Sequence, residues 1–285
     1  MKLKAHAKIN LFLNVLAKRP DGYHDIHTLF ERISLWDDVR LTLAPSGIRL
    51  KCSSKEIPSG PSNLAYRAAR LLKDEYGIQK GVRIHITKRI PVSAGLGGGS
   101  SDAAAVLLGL NRLWKLNLSQ KELSRLGARL GSDVAFFVLD TSFALGSGRG
   151  EVLKKIQGPR WKIWHCLVKP TFGISTAEAY SALRPPFLTP QKTNAKMLFH
   201  SIHEGQPKRL AKLLINSLEV VLNKRVTEIS KIKNELNRLG ALGSLMSGSG
   251  SAVFGVFSSK QKALKAARHL KKVFRNFDLF VVSSY

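Results

Sequence analysis

Ile9, Leu11, Leu13 and Val15 alternate with their neighbours near the start of the chain and predict a strand over residues 9–17. Pro20-Asp21-Gly22 then supplies turn chemistry, and further strands are expected over 26–35 and 39–43. The pattern next shifts to a helical period: Leu64, Ala65, Ala68, Leu71 and Leu72 form an apolar stripe, with Ser62 placed to cap it and Gly77 at a left-handed stop. Val82, Ile84 and Ile86 alternate with Arg83, His85 and Thr87, the signature of a half-buried strand. A helix is expected over 100–114, and Ser119 with Glu122 makes a capping box that opens another. Gly146, Gly148, Gly150, Gly158 and Pro159 loosen the text and mark a domain boundary, taken between 155 and 156. Beyond it come a strand over 162–169, a second capping box at Ser175 and Glu178, several helices, and a closing strand, helix and strand. The layout is α+β in two domains, 1–155 and 156–285.

A chain of 285 residues that is 44% hydrophobic and 23% charged has the balance of a globular protein with a core of its own. Its 46 Lys and Arg outnumber 19 Asp and Glu, and the formal charge of +27 favours anionic partners: nucleotides, nucleic acid or a membrane surface. The C-terminal helix tests the second of these. Lys260, Lys262, Lys265, Arg268, Lys271, Lys272 and Arg275 stand apart from a stripe of Ala263, Ala267, Leu270 and Phe274, as on an ordinary solvated face, and no aromatic residues interleave to stack bases. No specific nucleic-acid partner is therefore expected. Lys2, Lys4 and Lys8 precede an apolar run, but Asn10 and Asn14 interrupt it and Lys18-Arg19-Pro20 ends it, so a buried strand is the better reading than a signal peptide. No segment reaches the roughly 18 apolar residues of a membrane span. Two separated cysteines, Cys52 and Cys166, read as reduced structural thiols, and the expected location is cytoplasmic without a membrane partner.

Pro91-Val92-Ser93-Ala94-Gly95-Leu96-Gly97-Gly98-Gly99-Ser100-Ser101-Asp102 sets four glycines between a strand and an Ala-rich helix. Residues without Cβ let the backbone approach an anion, successive N–H groups form a nest, and the helix N-terminus adds about half a positive charge. No Gly-Lys-Ser/Thr follows, as a P-loop requires, and no acidic residue stands about 20 positions on to take a ribose.

The segment resembles the ATP loop of the GHMP family of small-molecule kinases. Ala7-Lys8-Ile9-Asn10-Leu11 and Met246-Ser247-Gly248-Ser249-Gly250 match the family's other two blocks in order. Departures are Val92-Ser93 within the loop, Ala135 in place of Pro, and Ser251-Ala252-Val253-Phe254 after the last block. Pro20-Asp21-Gly22-Tyr23-His24, Asn63-Leu64-Ala65-Tyr66, Gly131-Ser132-Asp133-Val134-Ala135-Phe136-Phe137 and Ser175-Thr176-Ala177-Glu178 point within the family to a branch whose acceptor is a cytidine-diphosphate-linked methylerythritol, on a route to isoprenoid precursors. The resemblance implies an N-terminal domain like one domain of a ribosomal small-subunit protein and a C-terminal ferredoxin-like domain. It implies Asp133 as the base for the substrate hydroxyl and Lys8 as the cation that keeps Asp133 ionised and steadies the passing charge. Asn63, Lys88, Pro91, Gly95, Leu96, Gly97, Gly98, Gly99, Ser100 and Ser101 would hold ATP, accompanied by Mg²⁺ without a dedicated metal cage. Asn10, Tyr23, His24, Thr176 and Tyr180 would hold the acceptor, the tyrosines against the cytosine faces and the histidine at its polar edge. Two alternatives stay open: a family kinase for mevalonate, homoserine or galactose, and a basic nucleic-acid-binding protein on the same fold. Oligomeric state is not legible in the sequence.

Overall fold

The computed structural model describes residues 1–159, 161–183, 195–221 and 226–285. The chain forms two compact units that interleave along the sequence. The first is Met1–Ala7, Leu35–Val92 and Gly97–Thr141; the second is Lys8–Ser34, Ser93–Leu96 and Ser142–Tyr285. Strands β1 (Lys2–Lys18) and β2 (His24–Ala44) contribute residues to both.

In the first unit follow β3 (Ile48–Cys52), α1 (Leu64–Glu75), β4 (Gly81–Thr87), α2 (Gly98–Leu113), α3 (Gln120–Leu130) and α4 (Ser132–Val138). The strand order is β3-β4-β2-β1. β3 and β4 are parallel, Ile48 opposite Val82, and α1 provides the crossover that a parallel pair needs. β4 runs antiparallel to β2 and buries Val82, Ile84 and Ile86 while Arg83 and His85 face solvent, as the alternation predicts. Gly109 inside α2 has a packing reason: a Cβ there would stand 2.4 Å from Leu41 Cδ1 and 3.0 Å from Leu3 Cδ1, so the helix lies close on β1 and β2.

Two local expectations differ from the structure and a third is met. One strand, β2, replaces the two expected over 26–35 and 39–43, because Asp37 between them is not a breaker: it is fully buried and accepts hydrogen bonds from Lys88 Nζ and from the backbone N–H of Arg89 and Ile90. Asn63, not Ser62, caps α1, its Oδ1 accepting from Ala65 N at 2.8 Å while its Nδ2 donates to Pro58 O at 2.9 Å. The capping box of α3 is present as read, with Ser119 and Glu122 bonding reciprocally.

In the second unit, β5 (Phe143–Ser147) and β6 (Val152–Ile156) make a hairpin whose turn carries Gly148 at φ +66° and Gly150 at φ +103°, so the glycine-rich stretch holds ordered strands. β5 also pairs with β2, Leu29 opposite Leu145. The chain continues through β7 (Trp164–Lys169), α5 (Thr176–Ser181), α6 (Ala195–His203), α7 (Pro207–Lys212), β8 (Ile215–Asn216), a 3₁₀ turn (Ser217–Val221) and α8 (Val226–Arg238). It ends with β9 (Gly243–Met246), β10 (Val253–Phe257), α9 (Lys260–Val273) and β11 (Asp278–Ser283). An antiparallel sheet of four strands runs β11-β7-β10-β9. With α8 before β9 and α9 before β11, this is the order of a ferredoxin-like plait. Cys166, Val168, Val253 and Phe257 of the sheet pack against Ile229, Ile232 and Leu236 of α8 and Ala263, Ala266 and Leu270 of α9. Ala266 rather than Ala267 completes the α9 stripe, Ala267 packing at its margin. Burial pushes the Cys166 thiol up to about 12, which leaves it an inert core residue.

Glu31 of β2 and His165 of β7 meet inside this unit, with His165 Nε2 at 2.9 Å from Glu31 Oε1 and neither side chain exposed. His165→Leu strands a buried carboxyl, and a loss of about 3 kcal/mol is expected in urea unfolding. A loss below about 0.5 kcal/mol would show that the pair contributes nothing to the fold.

Candidate active site

Within the first unit the loop leaves β4, and Gly97, at φ +68°, turns it into α2. No side chain caps that helix. Its first N–H groups thus lack the acceptor that Ser119 gives α3, and an anion is the natural complement. Lys88 lies beneath: a Cβ on Gly98 would be 3.2 Å from its ammonium. Lys88 is itself buried, paired with Asp37 and, at 2.9 Å, with Asp102 Oδ2. Burial lowers its pKa, but Asp102 and Asp37 outweigh that and raise it, so the ammonium stays charged. Ser100 Oγ lies 4.0 Å from where a Cβ on Gly131 would stand, which brings the loop beside the turn that opens α4. Asp133, half-buried, sits in the first turn of that helix.

The second unit carries the other half of the loop. Gly95, at φ +72°, is pressed against the segment after β9: a Cβ there would meet Ser247 O at 2.0 Å and Gly250 N at 2.9 Å. Ser247 Oγ donates to Gly95 O at 3.0 Å and Ala252 N donates to Ala94 O at 3.1 Å. Lys8 N donates to Leu96 O at 3.0 Å. The Lys8 side chain, 4% exposed, donates from Nζ to Asn10 Oδ1 at 2.7 Å. Asn10 Nδ2 then donates to Thr28 Oγ1, and Thr28 Oγ1 to Phe12 O, each at 2.7 Å. Gly248 closes over this chain, since a Cβ on it would lie 3.1 Å from Lys8 Nζ, 3.1 Å from Gly95 O and 3.2 Å from Asn10 Oδ1. Asn216 fixes that turn from beneath, donating to Met246 O at 2.9 Å and Gly248 O at 2.7 Å.

Tyr23, His24, Thr176 and Tyr180, read as holding the acceptor, also lie in this unit. Tyr23 is 54% exposed under the Arg149 guanidinium, 4.8 Å from its ring centre. The His24 and Tyr180 rings lie 5.3 Å apart, tilted by 38°. Burial, and secondarily the charge of Lys18, lower the His24 pKa, so the ring is neutral at neutral pH. Thr176 Oγ1 is 3.3 Å from Ser249 Oγ.

Of the residues singled out in the sequence, Lys88 and Gly97–Ser101 come together in the first unit, where Gly131 lies beside Ser100 and Asp133 follows in the first turn of α4. Lys8, Asn10, Gly95 and Leu96 come together in the second, as do His24 and Tyr180. Asp37, Asp102, Thr28, Ser247 and Asn216 were assigned no role from the sequence. A polar side chain in an apolar strand is a signal for Thr28, but its partners are not local.

The family model for the GHMP kinases N terminal domain matches residues 63–141, and that for GHMP kinases C terminal matches residues 198–276. A 4-diphosphocytidyl-2-C-methyl-D-erythritol kinase from Caldicellulosiruptor bescii is 45% identical, covering 95% of this chain and 94% of its own. The chain belongs to the GHMP kinase family. A second relative of this GHMP kinase, the Bacillus subtilis protein of the same name, is 46% identical over 94% of this chain and 92% of its own. A crystal structure of 4-(cytidine 5'-diphospho)-2C-methyl-D-erythritol kinase superposes with a TM-score of 0.85 at 36% identity, all of each chain being covered. As a GHMP kinase the protein is an ATP-dependent phosphotransferase, and among its described residues no helix is long and apolar enough to cross a membrane.

Proposed function

We propose that this GHMP kinase transfers the γ-phosphoryl group of ATP to a hydroxyl of 4-diphosphocytidyl-2-C-methyl-D-erythritol, giving the 2-phosphate and ADP on the non-mevalonate route to isoprenoid precursors. The observation that carries the reading is the near-complete, 45–46% match to relatives of that name. The neutral His24 beside Tyr180, with Tyr23 exposed nearby in sequence, supports a cytosine site: two aromatic surfaces and a polar edge. The family's two domains are taken as 1–155 and 156–285, each containing one of the matched segments. The cytoplasm, which supplies ATP and a soluble nucleotide-linked acceptor, is the compartment this reading implies.

In the proposed reaction the uncapped start of α2 and the glycine loop take the phosphates of ATP, with Ser100 and Ser101 as hydroxyl donors. Asn63, whose amide is engaged in capping α1, contributes by fixing the edge of the nucleotide site. Lys88 supplies positive charge from below the loop. Magnesium would enter with the nucleotide as part of the substrate and neutralise charge on its phosphates. Asp133 accepts the proton of the attacking hydroxyl, and Lys8 balances charge on the transferring group while Asn10 and Thr28 hold its ammonium in place. Thr176 borders the acceptor.

The test is a selectivity panel: ADP release with the cytidine acceptor, mevalonate and homoserine under saturating MgATP. Turnover with the cytidine acceptor alone supports the proposal, and preference for either other alcohol overturns it. In the same assay Tyr23→Ala is expected to raise the KM for the cytidine acceptor at least tenfold, the loss of about 1.4 kcal/mol of base stacking, with the KM for ATP unchanged. An unchanged acceptor KM would remove Tyr23 from the site.

A further inference from the structure

A buried charge cluster in the first unit ties the two ends of the glycine loop together. Asp37, on β2, accepts from Lys88 Nζ and from the N–H groups of Arg89 and Ile90, the residues that lead from β4 into the loop. Asp102, at the start of the second turn of α2, accepts from the same ammonium at 2.9 Å. Entry strand and exit helix are thus joined through one lysine, and that lysine touches the underside of Gly98, where the phosphate nest is formed.

The cluster is unbalanced in charge. Two carboxyls share one ammonium, Asp102 is 3% exposed, and its Oδ1 has no hydrogen-bond partner among the described residues. Burial raises the Asp102 pKa to about 7; Asp37 adds to the rise and Lys88 opposes it. The charged groups that act on it are Lys88 and Asp37. Its other charged neighbours in the fold are elsewhere engaged or exposed: Arg89 pairs with Asp38, both half-exposed, and Arg67, Arg70, Asp74 and Glu75 of α1 and Lys121, Glu122, Arg125 and Arg129 of α3 face solvent. Asp133 is half-buried on α4.

We infer that Asp102 is a positioning residue for the glycine loop, and that its carboxyl takes up a proton from solvent when nucleotide phosphate enters the cradle. The inference rests on the reading that this loop binds ATP. Anionic oxygens arriving over Gly98 disfavour a second anion on the far side of Lys88, so the proton goes to Asp102, the carboxyl without a full set of donors, and the Lys88 charge is left to the phosphate. The proton returns to solvent when ADP leaves.

Titration calorimetry of the intact protein with MgATP, in Pipes and in Tris at pH 7.5, reads the linkage directly. Wild type is expected to take up roughly half a proton per nucleotide. Asp102→Asn keeps an oxygen acceptor for Lys88 but cannot titrate, so its heat should not depend on the buffer. Affinity of the wild type should fall several-fold between pH 6.5 and 8.5, and that of D102N should stay level. Asp102→Ala, which removes the tie altogether, should bind MgATP more weakly at every pH. Buffer-independent heat in the wild type, or equal uptake in wild type and D102N, overturns the inference while leaving nucleotide binding intact. No binding of MgATP by folded wild type overturns both. Should D102N fail to fold, the buffer and pH dependence of the wild type decide alone.

Discussion

Lys8→Met is expected to lower kcat by roughly 10²–10³ with the fold intact, because it deletes a preorganised charge and little volume. Lys8 is 4% exposed, its ammonium is held by Asn10, Asn10 by Thr28, and Gly248 lies over it. A buried cation so oriented is costly to maintain for structure alone, and methionine fills the same channel without that cost. It does leave the buried Asn10 Oδ1 without its donor, so thermal unfolding should show a folded, cooperative variant that is less stable than wild type by about 1–2 kcal/mol. Steady-state kinetics should show the loss in kcat, with both KM values within a few-fold. Activity within threefold of wild type would take Lys8 out of the reaction and leave it a structural lysine.

Gly95→Ala is expected to damage both the fold and nucleotide binding. At φ +72° any other residue is strained, and the new Cβ would stand 2.0 Å from a backbone oxygen, that of Ser247, and 2.9 Å from the backbone nitrogen of Gly250. Neither atom belongs to a flexible side chain, so the loop and the turn after β9 must move apart. A loss of about 3 kcal/mol or more in urea unfolding, with MgATP affinity down at least tenfold, is the expected result. Gly99→Ala makes the contrast. There the Cβ meets only Leu64 Cδ1, at 3.8 Å, inside the first turn of α2, so stability should be kept or slightly raised and MgATP affinity should stay within a few-fold of wild type. Equal behaviour of the two variants would deny that Gly95 is required for packing.

What could be read from the sequence was whatever is encoded within a few residues. The alternation of β4, the capping box of α3, the Ser175 cap of α5 and the glycine loop all declare themselves locally. Asp37 did not, because an acidic residue in a strand looks like a break until its partners are known. These are Lys88, Arg89 and Ile90, about fifty positions on, and they arrive only when β4 pairs with β2. Thr28 and Asn216 were missed for the same reason: one serves Lys8 through Asn10, the other holds Gly248 from 32 residues away. The α1 cap fell one residue late because Ser62 and Asn63 are both good caps, and the bond to Pro58 O that favours Asn63 lies outside any helical pattern. The resemblance to the family supplied the roles of Lys8, Asp133 and Tyr23, which no local pattern distinguishes from a buried lysine, a first-turn carboxylate and an exposed aromatic ring.

The most direct measurement is the mass and phosphorus spectrum of the product formed from ATP, magnesium and 4-diphosphocytidyl-2-C-methyl-D-erythritol, with Asp133→Asn beside the wild type. The account predicts one new phosphoryl group, on the 2-hydroxyl, formed together with ADP by wild type and lost in the variant. An unmodified acceptor after incubation with the folded wild-type protein, or equal product from both proteins, would contradict it.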